Sequence, residues 1–135
     1  SGGKYIAPQM LENAMKQSRF IEQIMVIGEG EKMPAAIIQP NFDFIKDWAN
    51  RKGTNVGFTL EEVSKNQMVI DRIQEEIDVI NKKFGHWEQI KRFELTPTVW
   101  SIDSGELTPT LKLKRKVILA KFQALYDKIY RSKQK

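Results

Sequence analysis

Cysteine is absent from this sequence, and histidine occurs once, at His86. Without cysteine the chain can form no disulfide, offer no thiolate nucleophile and bind no metal through sulfur. A single imidazole makes a histidine-based metal cluster implausible, so zinc chemistry is effectively excluded. No apolar run approaches the roughly 20 residues needed to cross a bilayer. The phosphate-binding patterns GxGxxG and GxxxxGK[ST] are also missing.

The composition is that of one globular domain of 135 residues, 41% hydrophobic and 29% charged. A chain of this length buries about two-thirds of the surface that its unfolded form exposes, so it needs no cross-links to fold. The net charge of +5 is concentrated towards the carboxy terminus, where Asp127 is the one acid after Leu111. The opening residues SGGKYIAPQ lack the apolar core of a signal peptide, and we expect a cytoplasmic protein.

Hydrophobic periodicity predicts an α+β fold, with about four to five helices packed on a small antiparallel sheet. At the centre of the sheet we predict a hairpin, because the apolar runs FIEQIMVIG and MPAAIIQP are joined by turn residues 28–32. A third strand is expected in IKRFELTPTVW, ending at Pro97. Helices are predicted after Pro8, after Asn41, after the capping-box pair Thr59 and Glu62, from Asn66 to Phe84, and from Arg115 to Tyr130.

The segment GELTPTLKLKRK combines a proline-containing turn with a run of basic residues. Three interpretations are open: a solvated basic face, contact with phosphate or nucleic acid, or one lysine presented for chemistry. Lys112 lies between Leu111 and Leu113, and extended alternation sends its side chain to the face opposite both leucines. An ammonium group held there can stabilise negative charge that builds up in a reaction.

Other residues give weaker indications of function. Gly2 and Gly3 let backbone approach a ligand closely, although a chain end with no specific role explains them as well. Glu12 is expected to be an exposed acid on the first helix. His86 has no evident nucleophile as a partner, and a role at the end of a helix is favoured.

Two separated motifs and the hairpin between them resemble one known family. SGGKYIAPQMLE resembles the glycine segment that opens the small carboxy-terminal domain of adenylate-forming enzymes, in which a glycine and a basic residue precede P-x-x-[IL]-E. GELTPTLKLKRK resembles the last conserved motif of that family, in the form typical of long-chain acyl-CoA synthetases. Other branches have a Gly-Lys pair followed by arginine, and Leu111 stands where they have the glycine.

The resemblance implies a role for each matching residue. Lys112 matches the lysine that contacts the acyl carboxylate and the α-phosphate during adenylation, and Lys114 is its rival for that position. Gly2 and Gly3 match the segment that lines the pantetheine tunnel in the thioester-forming step. The remaining matches are Lys4, a cofactor-binding residue near the nucleotide phosphates; Arg115, which supports the site or faces a phosphate; and Glu12, which is structural.

The resemblance also implies a whole-protein function. Residues 1–135 would form the mobile carboxy-terminal domain of a larger AMP-forming acyl-CoA synthetase, whose large amino-terminal domain binds ATP, the fatty acid and Mg²⁺. The small domain would rotate between adenylation of a long-chain fatty acid and transfer of the acyl group to CoA, and alone it would be inactive. Its partners would be the amino-terminal domain and the substrates, and it would not bind nucleic acid. Peripheral association with the inner face of the membrane is a further expectation. The alternatives are a basic nucleic-acid-binding module and a membrane or adaptor module.

Overall fold

The structure, a computed structural model, describes residues 7–132. Its three strands form one sheet in the order β1 (Ile21–Ile27), β2 (Ala35–Pro40), β3 (Arg92–Leu95). The predicted α+β class is confirmed. Gly2, Gly3 and Lys4, which were predicted to contact cofactors, lie outside the described residues.

The predicted hairpin is present, with β1 and β2 antiparallel and Ile27 paired with Ala35 at its closed end. Gly28, directly after β1, has a φ of +144°, which L side chains rarely adopt. A Cβ at this position would lie 3.0 Å from the carbonyl oxygen of Met33 and from Cα of Pro34. Glycine is therefore required where the chain turns back.

The third strand corrects the prediction of an antiparallel sheet, because β3 pairs with β2 in parallel, from Ala35 with Arg92 to Ile38 with Leu95. Between these two strands the chain forms three α-helices, which pack on one side of the sheet, and a short 3-10 helix, His86–Glu88. The crossover carries the chain from the end of β2 back to the end at which β2 begins, and this makes the next strand parallel. The sheet is mixed: an antiparallel hairpin with one parallel edge strand.

Six α-helices lie within residues 7–132. They are α1 (Pro8–Met15), α2 (Phe42–Arg51), α3 (Leu60–Lys65), α4 (Gln67–Asn81), α5 (Arg115–Lys121) and α6 (Gln123–Tyr130). The predicted capping box of Thr59 and Glu62 begins α3. The single closing helix that we predicted is divided at Phe122, whose φ of −113° and ψ of 30° lie outside the helical region.

Hydrophobic cores cover both faces of the sheet, and this explains why every residue of β2 is buried. On one face Ile24, Val26, Ala36 and Ile38 pack with α1, α2 and α4. The alternating residues face the other way, into a second core formed with the loop after β3 and with α5 and α6. That second core contains Met25, Ile27, Ala35, Ile37, Trp100, Leu107, Ile118 and Ile129.

No helix among residues 7–132 has the length and apolar character needed to span a membrane. Over the same residues, no group of histidine, aspartate and glutamate side chains is arranged to bind a metal ion.

A lysine-bearing loop as the candidate active site

Lys112 lies on a small hairpin, residues 107–113, which we call the lysine loop. Leu107 and Leu113 pair in antiparallel fashion at its base. Within the loop the Thr108 amide donates to the Lys112 carbonyl oxygen (2.8 Å), and the Lys112 amide donates to the Thr108 hydroxyl (3.0 Å). The backbone around Lys112 is therefore fixed by hydrogen bonds, while its side chain is exposed.

Leu111, immediately before Lys112, has a φ of +66° and is the one non-glycine residue among the described residues with a positive φ. Its amide donates to the Thr108 carbonyl oxygen at 2.7 Å and closes a tight turn. Its side chain is 61% exposed. An L residue in this left-handed region is strained, and little burial of the Leu111 side chain compensates for that strain.

A cleft of about 250 Å³ separates the lysine loop from α1 and β1. Leu111, Lys112 and Leu113 form one wall, and most of the other lining side chains are polar. Those other lining residues are Gln9, Glu12, Asn13, Lys16, Gln23, Ile24 and Arg115. The fold thus brings Lys112, Arg115 and Glu12, from opposite ends of the sequence, to one cleft.

Glu12 and Arg115, which both line this cleft, form an ion pair. The two terminal nitrogens of Arg115 donate to the two carboxylate oxygens of Glu12, at 2.7 and 2.8 Å. The Val26 amide of β1 donates to the same carboxylate at 2.8 Å. Glu12 raises the pKa of Arg115 above its ordinary value, chiefly through these hydrogen bonds. The pair ties α1, β1 and the start of α5 together.

The prediction that Glu12 is exposed is wrong, because only 5% of the residue is accessible to solvent. On α1 it lies beside Leu11 and three residues before Met15, and both of these side chains are fully buried. Its carboxylate can remain in this position because charged and amide donors satisfy it. The structural role that the family resemblance implied for Glu12 fits these contacts.

A second buried carboxylate, Glu106, lies at the base of the lysine loop and was not among the predicted site residues. It is 1% exposed. It accepts hydrogen bonds from the Ser101 amide (3.0 Å), the Ser104 hydroxyl and Nζ of Lys121 (2.9 Å). Burial alone would raise the pKa of Glu106, but these hydrogen bonds outweigh it and hold the pKa at about 2. The two nearby serines were the signal in the sequence, since SIDSGE places hydroxyl and amide donors close to the acid.

The AMP-binding enzyme C-terminal domain model matches residues 1–134. The chain belongs to this family. The long-chain-fatty-acid–CoA ligase FadD15 of Mycobacterium tuberculosis is 31% identical over 96% of the chain, and the matched region is 22% of that protein's length. Human long-chain-fatty-acid–CoA ligase 1 is 35% identical over 95% of the chain and 18% of its own length. The chain therefore spans about a fifth of these relatives.

Solved structures show the same C-terminal domain fold. The adenylation domain of a carboxylate reductase from Mycobacterium chelonae superposes with a TM-score of 0.76 at 19% identity, over 97% of this chain and 19% of that one. A fatty acyl CoA synthetase from Mycobacterium tuberculosis gives 0.54 at 17% identity, over 92% and 19% of the two chains. The family that the two sequence motifs indicated is confirmed.

Within this family the turn at Leu111 bears on which lysine matches the motif. Other branches have glycine before the lysine, and Leu111 adopts the left-handed conformation that glycine favours. Lys114, by contrast, directly precedes α5, and its amide donates to the Glu106 carbonyl oxygen at 2.8 Å. The left-handed turn therefore precedes Lys112 and not Lys114, and Lys112 stays the predicted match to the family lysine.

Proposed function

We propose that this C-terminal domain belongs to an ATP-dependent, AMP-forming long-chain-fatty-acid–CoA ligase. The observation that carries the proposal is the lysine loop, a turn that presents Lys112 beside a polar cleft in a chain of the AMP-binding enzyme family. Relatives bearing the name long-chain-fatty-acid–CoA ligase match nearly the whole chain at 31–35% identity, which supports this substrate class.

In the first step, a carboxylate oxygen of the fatty acid attacks the α-phosphorus of ATP. An acyl–phosphate bond forms, the bond to pyrophosphate breaks, and negative charge accumulates on the phosphoryl oxygens. The exposed ammonium group of Lys112 would contact the acyl carboxylate and the α-phosphate and stabilise that charge. The amino-terminal domain would bind Mg²⁺.

In the second step, the CoA thiol loses its proton and attacks the acyl carbonyl carbon, and AMP leaves. We propose that the domain rotates between the two steps, so that Gly2 and Gly3 line the path of the pantetheine arm. Lys4 would lie near the phosphates of the nucleotide. Without side chains, the two glycines would let a thin acceptor pass close to backbone.

For Arg115, the structure favours a supporting role over contact with a phosphate. Both of its terminal nitrogens donate to Glu12. A phosphate competing for them would have to leave the buried Glu12 carboxylate without its cation, which is costly. Arg115 would therefore act on the cleft by holding α5 against α1.

The ion pairs of the carboxy-terminal segment argue against a nucleic-acid-binding module. Four of its basic side chains contact acids at 2.7 to 3.1 Å. The pairs are Arg115 with Glu12, Lys121 with Glu106, Lys128 with Glu94, and Arg131 with Glu31. Much of the basic charge serves to hold α5 and α6 in place, so the segment is less suited to following a phosphate backbone.

The function is tested with the longer protein that contains this domain. Incubation with a long-chain fatty acid, ATP, Mg²⁺ and CoA should give acyl-CoA, AMP and pyrophosphate in equal amounts. The 135-residue chain alone should give none of them, because it would lack the ATP and fatty-acid sites. We expect the activity in the cytoplasmic fraction, with part of it bound to the inner face of the membrane. Formation of ADP in place of AMP, or turnover by the isolated chain, would contradict the proposal.

A further inference from the structure

Glu106 joins the lysine loop to the body of the domain. Its carbonyl oxygen accepts a hydrogen bond from the Lys114 amide at 2.8 Å, and the next residue, Leu107, pairs with Leu113. The base of the loop is therefore fixed both by the packing of Leu107 and Leu113 in the second core and by the hydrogen bonds of Glu106. The loop tip, by contrast, is open, since Pro109, Thr110, Leu111 and Lys112 are all exposed.

The carboxylate of Glu106 is held by groups from two separate elements. Its Oε1 accepts from the Ser101 amide and the Ser104 hydroxyl, which lie in the turn before the loop. Its Oε2 accepts from Nζ of Lys121 at 2.9 Å, on the last residue of α5. Nζ of Lys121 also donates to the Ser104 carbonyl oxygen. The turn before the loop and the helix after it are thereby joined through one side chain.

A buried carboxylate is a poor way to gain stability alone, since removing its charge from water costs about as much as the ion pair returns. A buried carboxylate can, however, fix the position of the segments that it joins. Its hydrogen bonds are directional, and a different packing of these segments would not satisfy them. Since the hydrogen bonds around Lys112 are all made within the loop, the place of Lys112 relative to the rest of the domain depends on the geometry of the base.

We propose that Glu106 is a positioning residue for the adenylation step, holding the base of the lysine loop so that the Lys112 ammonium group reaches the reacting carboxylate and phosphate. The inference rests on the proposed function. Displacing a reacting group by about 1 Å costs on the order of 100-fold in rate. Loss of the Glu106 contacts should therefore lower adenylation by about 10- to 100-fold.

The test uses the full-length protein carrying Glu106→Gln. Glutamine keeps the size of the side chain and can still accept from Ser101, but its amide group would direct N–H donors at the Lys121 ammonium group. Adenylation is measured as pyrophosphate release, and transfer is measured separately from supplied acyl-adenylate to CoA. We expect the kcat of adenylation to fall by about 10- to 100-fold, while the rate of transfer stays within about twofold.

Glu31→Gln is the matched control. Glu31 also accepts from a hydroxyl group, that of Tyr126, and from a cation, Arg131, and its pKa is likewise lowered to about 2, chiefly by the hydrogen bond from Arg131. These contacts tie α6 to the turn between β1 and β2 instead of the lysine loop. Glu31→Gln should therefore shift thermal unfolding and leave the ratio of the two half-reactions unchanged.

If Glu106→Gln fails to fold, Lys121→Met decides the question, because it removes the same cation from a partly exposed side chain and leaves no cavity. The inference is overturned if the variant that folds behaves as Glu31→Gln does, or loses both half-reactions equally. Lys112→Ala, measured alongside, separates the two proposals. If Lys112→Ala leaves adenylation unchanged, the proposed role of the loop itself is wrong. If Lys112→Ala abolishes adenylation while the Glu106 and Lys121 variants leave adenylation unchanged, only the positioning inference fails.

Discussion

Replacing Leu111 with glycine and, separately, with alanine tests the turn that presents Lys112. Leu111 has a φ of +66°, and its side chain is 61% exposed. Burying a leucine fully contributes about 1.5–3 kcal/mol, so the partly exposed Leu111 contributes only about 1 kcal/mol. Both substitutions lose this contribution of the leucine side chain, so any difference between their free energies of unfolding comes from the backbone.

Alanine keeps the left-handed strain, whereas glycine releases it and gains freedom in the unfolded state. At a position with positive φ, alanine is less stable than glycine by about 1 kcal/mol after both effects are counted. We therefore expect Leu111→Gly to have a free energy of unfolding about 1 kcal/mol above that of Leu111→Ala, which corresponds to a few degrees in Tm. Urea unfolding of the 135-residue chain, followed by tryptophan fluorescence, measures this difference.

Val79, which is also 61% exposed but lies in α4, supplies the control. In a helix glycine is less stable than alanine by about 1 kcal/mol, so the order of the two variants should reverse there. An alanine variant at position 111 as stable as the glycine variant, or more so, would refute the left-handed turn. The turn would then give no reason to prefer Lys112 over Lys114 as the family lysine.

Two further predictions concern the buried carboxylates. Glu12→Ala should lower the free energy of unfolding by about 2–3 kcal/mol. This is less than the roughly 3–5 kcal/mol typical of a broken buried pair, because water can reach the partly exposed Arg115. A loss below about 0.5 kcal/mol in urea unfolding would contradict this prediction. The folded-state pKa of Glu106 is about 2, below its ordinary value of 4.5, so the unfolded state binds more protons as the pH falls between these values. The stability due to Glu106 should be complete above about pH 5 and decline towards pH 2. The fall in Tm from pH 5 to pH 2 should be shallower in Glu106→Gln than in the wild-type protein. Parallel curves of Tm against pH for these two proteins would contradict the lowered pKa of Glu106.

Local sequence patterns were sufficient for the elements whose causes are local. The hairpin follows from two apolar, β-rich runs with glycines between them, and the start of α3 follows from Thr59 and Glu62, which bond each other's backbone. The direction of β3 could not be predicted this way, because it depends on which end of β2 the chain reaches after three α-helices. The break at Phe122 was also missed, since apolar residues continue at helical spacing through it.

The two motifs indicated the lysine loop, but the groups that hold it depend on contacts between residues far apart in the sequence. Glu12 and Arg115 are separated by 103 positions, and only the folded sheet brings α1 and α5 together. The burial of Glu12 could have been suspected, since Leu11 and Met15 place it near the apolar side of α1. Glu106 was not predicted, because one of its donors, Lys121, lies 15 residues further along the chain and reaches it only in the folded domain.

The central claim is that Lys112 acts in adenylation, and the most direct measurement compares Lys112→Ala with Lys114→Ala in the full-length protein. Both variants remove one exposed lysine from the same short segment, so an unspecific effect of charge should appear equally in both. The account predicts that Lys112→Ala slows pyrophosphate release by at least about 100- to 1,000-fold while transfer from supplied acyl-adenylate is largely kept, and that Lys114→Ala retains both activities. Wild-type adenylation by Lys112→Ala, or an equal loss in the two variants, would contradict it.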